Sequence, residues 1–196
     1  MAPHGQTPVA TRRTLLNLFA ALAFAGGAAP RRASAAATAP GEVAIGETLH
    51  DGPLQGLNGR SRPLADYLGR PLIINVWASW CGPCRQEMKS LERLAWMEHA
   101  VPFSIIGIST DDYPEPARRL LAETHATISH FIDVRLYWEH LLGASTLPLT
   151  VLVDARGRVV DKVRGAREWD DAEALALIAR AFPAPPRGPA RKTSAQ

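Results

Sequence analysis

Cysteine is nearly absent: 196 residues hold two, and both fall in SWCGPCR, residues 79–85. One pair cannot build the multi-bridge framework of a small disulfide-rich domain. A four-ligand zinc site needs a second pair at matching spacing, and His130 and His140 do not supply it. Long apolar runs are also scarce. The N-terminal run, Leu15–Ala29, has fifteen residues rich in Ala and Gly, short of the roughly 20 that span a bilayer. Acidic residues are missing from the first 35 positions, which carry four arginines. Setting those four aside leaves 18 basic residues against 19 acidic, so the formal charge of +3 belongs to the ends and gives no argument for a nucleic-acid partner. No internal repeat of solenoid or propeller period is present.

What is present begins with a tripartite export signal: a basic start at Arg12-Arg13, the apolar run, and Ala33-Ser34-Ala35 as a small-residue cleavage site. Cleavage is expected after Ala35, which would place the mature chain in the periplasm. The stretch TRRTLLN resembles a twin-arginine signal, with a general secretory signal as the alternative. An uncleaved signal would tether the chain to the membrane. No cysteine near the cleavage site offers an attachment point for lipid. Residues 36–43 read as a spacer and 184–196 as a disordered tail, leaving one domain over 44–183. A composition 46% hydrophobic and 21% charged is enough for one real core.

Within that domain, LIINVW (Leu72–Trp77) reads as a buried strand, and a helix is expected from Cys81 to Glu98 with Met88, Leu91, Leu94 and Ala95 on one stripe. Phe103–Ser109 is a second strand, followed by a helix from Glu115 to His125. Tyr137–Leu142 is a helical turn ending at Gly143. Leu149–Val153 and Arg158–Val163 flank a four-residue hairpin loop. A last helix is expected to start at an Asp170 cap with Glu173 completing a capping box. Parallel neighbours need crossover helices and the terminal hairpin must be antiparallel, so the order predicts an α/β fold with a mixed sheet flanked by helices, the order of a thioredoxin fold. Leu54–Leu57 and Arg62–Leu64 add an N-terminal β-hairpin around Asn58-Gly59.

The cysteine pair has three candidate uses. A structural disulfide gains with loop length, and a loop holding only Gly82 and Pro83 gains little. Zinc lacks its second pair. Redox chemistry needs a cysteine delivered by a strand to the first turn of a helix, where free N–H groups and the positive dipole end stabilise a thiolate. LIINVWASWCGPC places Cys81 there.

Residues 44–182 resemble the TlpA/ResA branch of the thioredoxin superfamily, the exported thiol-disulfide oxidoreductases. The resemblance is carried by LNGRSRPLADYLGRPLIINVWASWCGPCRQEM and TLPLTVLVDARGRVVDKVRGAREWD. It implies that Cys81 attacks a substrate disulfide and that Cys84 resolves the mixed disulfide. It implies a cis bond before Pro148, with Leu147 pairing with the substrate backbone. It implies that Glu87, a half-buried acid, takes the proton of Cys84. Asn75 stands where soluble thioredoxins have an aspartate, so the proton burden moves to Glu87. Gly82 and Pro83 shape the active-site turn, and Trp80 flanks the nucleophile. With no histidine between the cysteines, the expected potential is closer to about −270 mV than to about −120 mV, which makes a reductase. No cofactor or metal is implied. Clients would be disulfide-bearing proteins, such as apocytochrome c or copper-site proteins, and the electron donor a membrane protein of the DsbD/CcdA kind. Oxidase or isomerase action, copper delivery and peroxide reduction are the competing functions.

Plainer uses are expected for the remaining conspicuous residues. Trp77 reads as packing, Arg85 as a solvated first-turn residue, Trp169 as a hydrophobic staple before the Asp170 cap, and Asp111-Asp112 as a solvated loop. Lys89 stands where the family usually has a helix-kinking proline.

Overall fold

The structure, a computed structural model, describes residues 41–99 and 101–184. The expected signal, the first part of the spacer and the tail beyond Ala184 lie outside these residues. Among the described residues no helix is long and apolar enough to cross a membrane.

Seven strands form one mixed sheet. They are β1 (Pro53–Gly56), β2 (Arg62–Pro63), β3 (Leu72–Trp77), β4 (Ser104–Ser109), β5 (Ser129–Ile132), β6 (Leu149–Val153) and β7 (Val159–Arg164). Across the sheet they run β2-β1-β5-β4-β3-β6-β7. Strands β3, β4 and β5 are parallel, and β1, β6 and β7 antiparallel to their neighbours. The helices are α1 (Gly82–Trp96), α2 (Pro114–Glu123), α3 (Tyr137–Leu142) and α4 (Ala172–Ala181). The expected thioredoxin fold with its N-terminal hairpin is therefore present.

Strand β3 is central because its six residues are apolar or small enough to be buried on both faces. Leu72, Ile74 and Val76 face a cluster with Trp138 and Leu142 of α3. Ile73 packs with Leu91 and Leu94 of α1, and Trp77 with Cys84 and Met88. Asn75 shares the Ile73 and Trp77 face by the two-residue alternation of a strand, so an amide sits beneath α1 in an otherwise apolar row. Each buried Leu or Ile on this sheet is worth about 1.5–3 kcal/mol of transfer free energy, which fixes the register that places Asn75 there.

The structure differs from the expected elements at several points. Strand β5 was not anticipated: SHFI is four residues long and too short to show a period, yet His130, Phe131 and Ile132 are buried beside β4. The spacer ends earlier than residue 43. Val43 is buried and its N–H bonds Leu141 O, while Glu42 pairs with the half-buried Lys162 at 2.6 Å. Asp171 rather than Asp170 caps α4, accepting from Ala174 N–H at 2.7 Å, because Asp170 is drawn to the Arg93 guanidinium of α1. With the cap moved, Glu173 forms no box and instead pairs with Arg167 at 3.4 Å. Asn58 does more than turn the first hairpin: its Nδ2 donates to Ile128 O and its Oδ1 accepts from His130 N–H, seaming the loop to β5. Helix α1 runs unbroken through Lys89.

Candidate active site

The parallel strands end where α1 begins, so the chain leaving β3 at Trp77 turns through Ala78-Ser79-Trp80 and enters the helix at Cys81. That turn is pinned by Asp111, which follows β4. Its carboxylate accepts from Ser79 N–H at 2.9 Å, Ser79 Oγ at 2.6 Å and Ser109 Oγ at 2.6 Å. Asp111 is thus a buried structural acceptor and not the solvated loop residue expected; Asp112 next to it is exposed.

Cys81 is the N-cap residue of α1 and Pro83 occupies an early helical position, where its missing N–H removes a donor that would have no intrahelical partner. The Cys84 N–H donates to Cys81 Sγ at 3.2 Å. A sulfur at this cap meets the free amides and the positive end of the helix dipole, the environment that favours a thiolate. Cys81 and Cys84 are joined as a disulfide. Cys84 is fully buried and Cys81 is 5% exposed, so Cys81 is the more accessible of the two. Gly82 and Pro83 are exposed above it, and Trp80 beside it is 72% exposed.

The Leu147–Pro148 peptide bond is cis, as the resemblance implies. Pro148 is buried directly before β6, and Leu147 is partly buried against the cluster that contains both cysteines. Strand β6 runs antiparallel to β3, so this segment lies beside the end of β3 from which the chain enters α1.

Glu87 follows Cys84 by three residues, one helical turn, and therefore lies on the same inner face of α1. It is 1% exposed, more deeply buried than the half-buried acid expected. Four groups surround its carboxyl and backbone. Asn75 Nδ2 donates to Oε1 at 2.7 Å, Trp169 Nε1 to Oε2 at 3.3 Å, Arg167 N–H to Oε2 at 3.3 Å, and Ser90 Oγ to the Glu87 carbonyl at 2.7 Å. Burial pushes the carboxyl from 4.5 up to about 7, and the bonds from Asn75, Trp169 and Arg167 restrain the rise. A carboxyl with this affinity can accept or return a proton near neutrality. Asn75 Nδ2 also donates to Thr150 Oγ1 of β6 at 3.0 Å.

Cys81, Cys84, Glu87, Leu147 and Pro148, with Trp80, Gly82 and Pro83 around the outer cysteine, lie at this end of the sheet, and Arg85 is exposed on the first turn of α1 as expected. Trp169 is not the hydrophobic staple expected before an Asp170 cap. It is fully buried and its N–H is spent on Glu87. Its position after GARE gives no local signal of that contact; only the pairing of the 165–170 segment with α1 creates it.

The profile of the redoxin family matches residues 39–178. ResA of Geobacillus thermodenitrificans, a thiol-disulfide oxidoreductase, is 28% identical over 129 residues, covering 66% of this chain and 74% of ResA. The thiol:disulfide interchange protein DsbE of Pseudomonas fluorescens is 37% identical over 128 residues, covering 61% of this chain and 68% of DsbE. A Chlorobium tepidum protein assigned as DsbE superposes with a TM-score of 0.65 at 26% identity, covering 71% of this chain and 99% of that one. With a family profile over most of its length and a cysteine pair at the head of α1, the chain belongs to the redoxin family, among the thiol-disulfide oxidoreductases similar to ResA and DsbE.

Proposed function

We propose that the chain is an exported, periplasmic reductase of client-protein disulfides. The observation that carries this reading is the stack at the head of α1: Cys81 Sγ at the cap, Cys84 buried behind it, and the Glu87 carboxyl one turn below. The Cys81 thiolate attacks one client sulfur, forming a mixed disulfide and releasing the first client thiolate. Cys84 then passes its proton to the Glu87 carboxylate and attacks Cys81 Sγ, which closes the Cys81–Cys84 disulfide and releases the second client thiolate. Two electrons move from the dithiol to the client. A dithiol donor in the membrane, of the DsbD/CcdA kind, restores the reduced pair by the reverse exchange: its two thiols close to a disulfide and their two electrons and two protons return to Cys81 and Cys84.

Leu147 presents its backbone to an extended client segment beside the cis-Pro148, and Trp80, Gly82 and Pro83 form the rim on which the client rests. Clients of the apocytochrome c or copper-site type suit a reductase working in an oxidising compartment. No histidine between the cysteines supports the low potential a reductase requires. Equilibration against glutathione or dithiothreitol buffers tests the direction: a potential near about −270 mV is expected, and one near about −120 mV would make the protein an oxidase.

A further inference from the structure

Strand pairing sets one polar row across the sheet: His130 of β5 beside Gly107 of β4, Gly107 beside Asn75 of β3, and Asn75 beside Thr150 of β6. Gly107 carries no side chain, and the His130 ring fills that space. A Cβ on Gly107 would overlap His130 Nδ1 and come within 2.9 Å of Trp77 Nε1. The ring also meets Trp77 edge to face, with centroids 5.4 Å apart. His130 is 4% exposed.

The hydrogen-bond inventory at this spot is specific. Trp77 Nε1, Asn75 Oδ1 and both ring nitrogens of His130 are buried without a partner among the described residues. Buried polar atoms in folded proteins are almost always paired, so four together form a set to be matched. An indole gives one donor, an amide oxygen accepts, and a neutral imidazole supplies one donor and one acceptor. Donors and acceptors balance only with a neutral ring in the middle. Asn75 and His130 also line one void of about 10 Å³, room for a single water.

We propose that His130 is a positioning residue for Glu87: its neutral ring, packed edge to face against Trp77, gives its N–H through one water in that void to Asn75 Oδ1. Asn75 is thereby held with its amide N–H groups on Glu87 and Thr150 instead of flipped. The inference rests on the reading of Glu87 as the proton acceptor of Cys84. Burial drives the His130 affinity for a proton down to about 3, in keeping with a ring that stays neutral. The charged groups facing this pair are few. Glu92 lines the void from α1 and is held by Thr127 N–H, Thr127 Oγ1 and Ile128 N–H. Arg167 lies over the Trp169 ring and pairs with Glu173.

The test is titration of the Glu87 side-chain carboxyl by carbon NMR in the oxidised protein, comparing wild type with His130→Leu and His130→Gln. Loss of the ring frees the Asn75 amide to turn its oxygen toward Glu87, which favours the protonated acid. His130→Leu should therefore raise the proton-binding constant of Glu87 about threefold or more, and His130→Gln, which keeps an amide donor and an acceptor, should recover most of the shift. Unchanged titration in His130→Leu, or equal shifts in both variants, overturns the proposal. Nitrogen spectra of the wild type provide a check that needs no variant: one slowly exchanging ring N–H and no second proton between pH 5 and 9 is expected, and a ring that titrates in that range overturns it. The Glu87 reading is judged separately by Glu87→Gln, since an unaltered pH profile of Cys84 attack defeats that reading while the titration still decides the role of His130.

Discussion

The indole N–H of Trp169 reaches the Glu87 carboxyl at 3.3 Å from a position 82 residues further along the chain. The 165–170 segment thereby closes the pocket that buries the acid, since Arg167 N–H bonds the same oxygen and Trp169 N–H bonds Ser90 Oγ at 2.9 Å. Trp169→Phe removes one bond to the carboxylate and leaves a smaller ring in a fully buried site. The Glu87 titration should move upward from about 7, and the fold should lose about 1 kcal/mol at pH 8 for the bond, plus the cost of the space the indole filled. Carboxyl NMR and urea unfolding read the two effects.

Glu87 also gives the oxidised protein a pH-dependent stability of defined sign. Its carboxyl binds a proton at about 7 folded and at the ordinary 4.5 unfolded, so the native state holds more protons between those values. Stability from this group is fully present below pH 4.5 and is lost as pH rises through 7, on the order of 3 kcal/mol in all. His130 has the opposite sign. Its folded affinity near 3 lies below the ordinary 6.5, so its share is present above pH 6.5 and is lost as pH falls. The two slopes oppose each other between pH 4.5 and 6.5. The difference between Glu87→Gln and wild type isolates Glu87, and it should grow in favour of the variant from pH 5 to 8. A difference that stays flat contradicts the buried, proton-holding carboxyl.

Asp111 satisfies three donors on the segments that precede and follow it in space: Ser79 N–H, Ser79 Oγ and Ser109 Oγ. Asp111→Ala leaves those groups without their acceptor and should cost about 3 kcal/mol in denaturant unfolding. The loss should be accompanied by faster amide exchange at Ser79, because the turn that presents Cys81 is no longer anchored to β4. Ordinary protection at Ser79 in the variant would show that the anchor is elsewhere.

Much of this architecture was legible in the chain. The apolar run Leu72–Trp77, the cysteine at the head of a helix and the Gly143 stop are local signals, and they sit where local physics puts them, with Gly143 at φ 75°; the first hairpin is present too, but residues 57–61 join its strands in place of a two-residue Asn-Gly turn. The parts that were not legible depend on contacts between distant segments. Asp170 and Asp171 are both competent caps, and only Arg93 across the helix pair decides between them. Asp111 looks like a loop acid until Ser79 folds against it. His130 looks like a stray histidine, without a matching zinc ligand, until β5 brings it across Gly107. Four-residue β5 carries no period from which its burial can be read.

The division of labour between the two sulfurs is tested most directly by trapping. Cys84→Ser and Cys81→Ser proteins, each reduced, are mixed with a disulfide-bearing client protein, quenched with acid and resolved on non-reducing gels. Cys84→Ser should accumulate a mixed disulfide through Cys81 that dithiothreitol releases, and Cys81→Ser should trap little, because Cys84 is wholly buried. Equal trapping by both variants, or a mixed disulfide formed through Cys84 alone, would contradict the account.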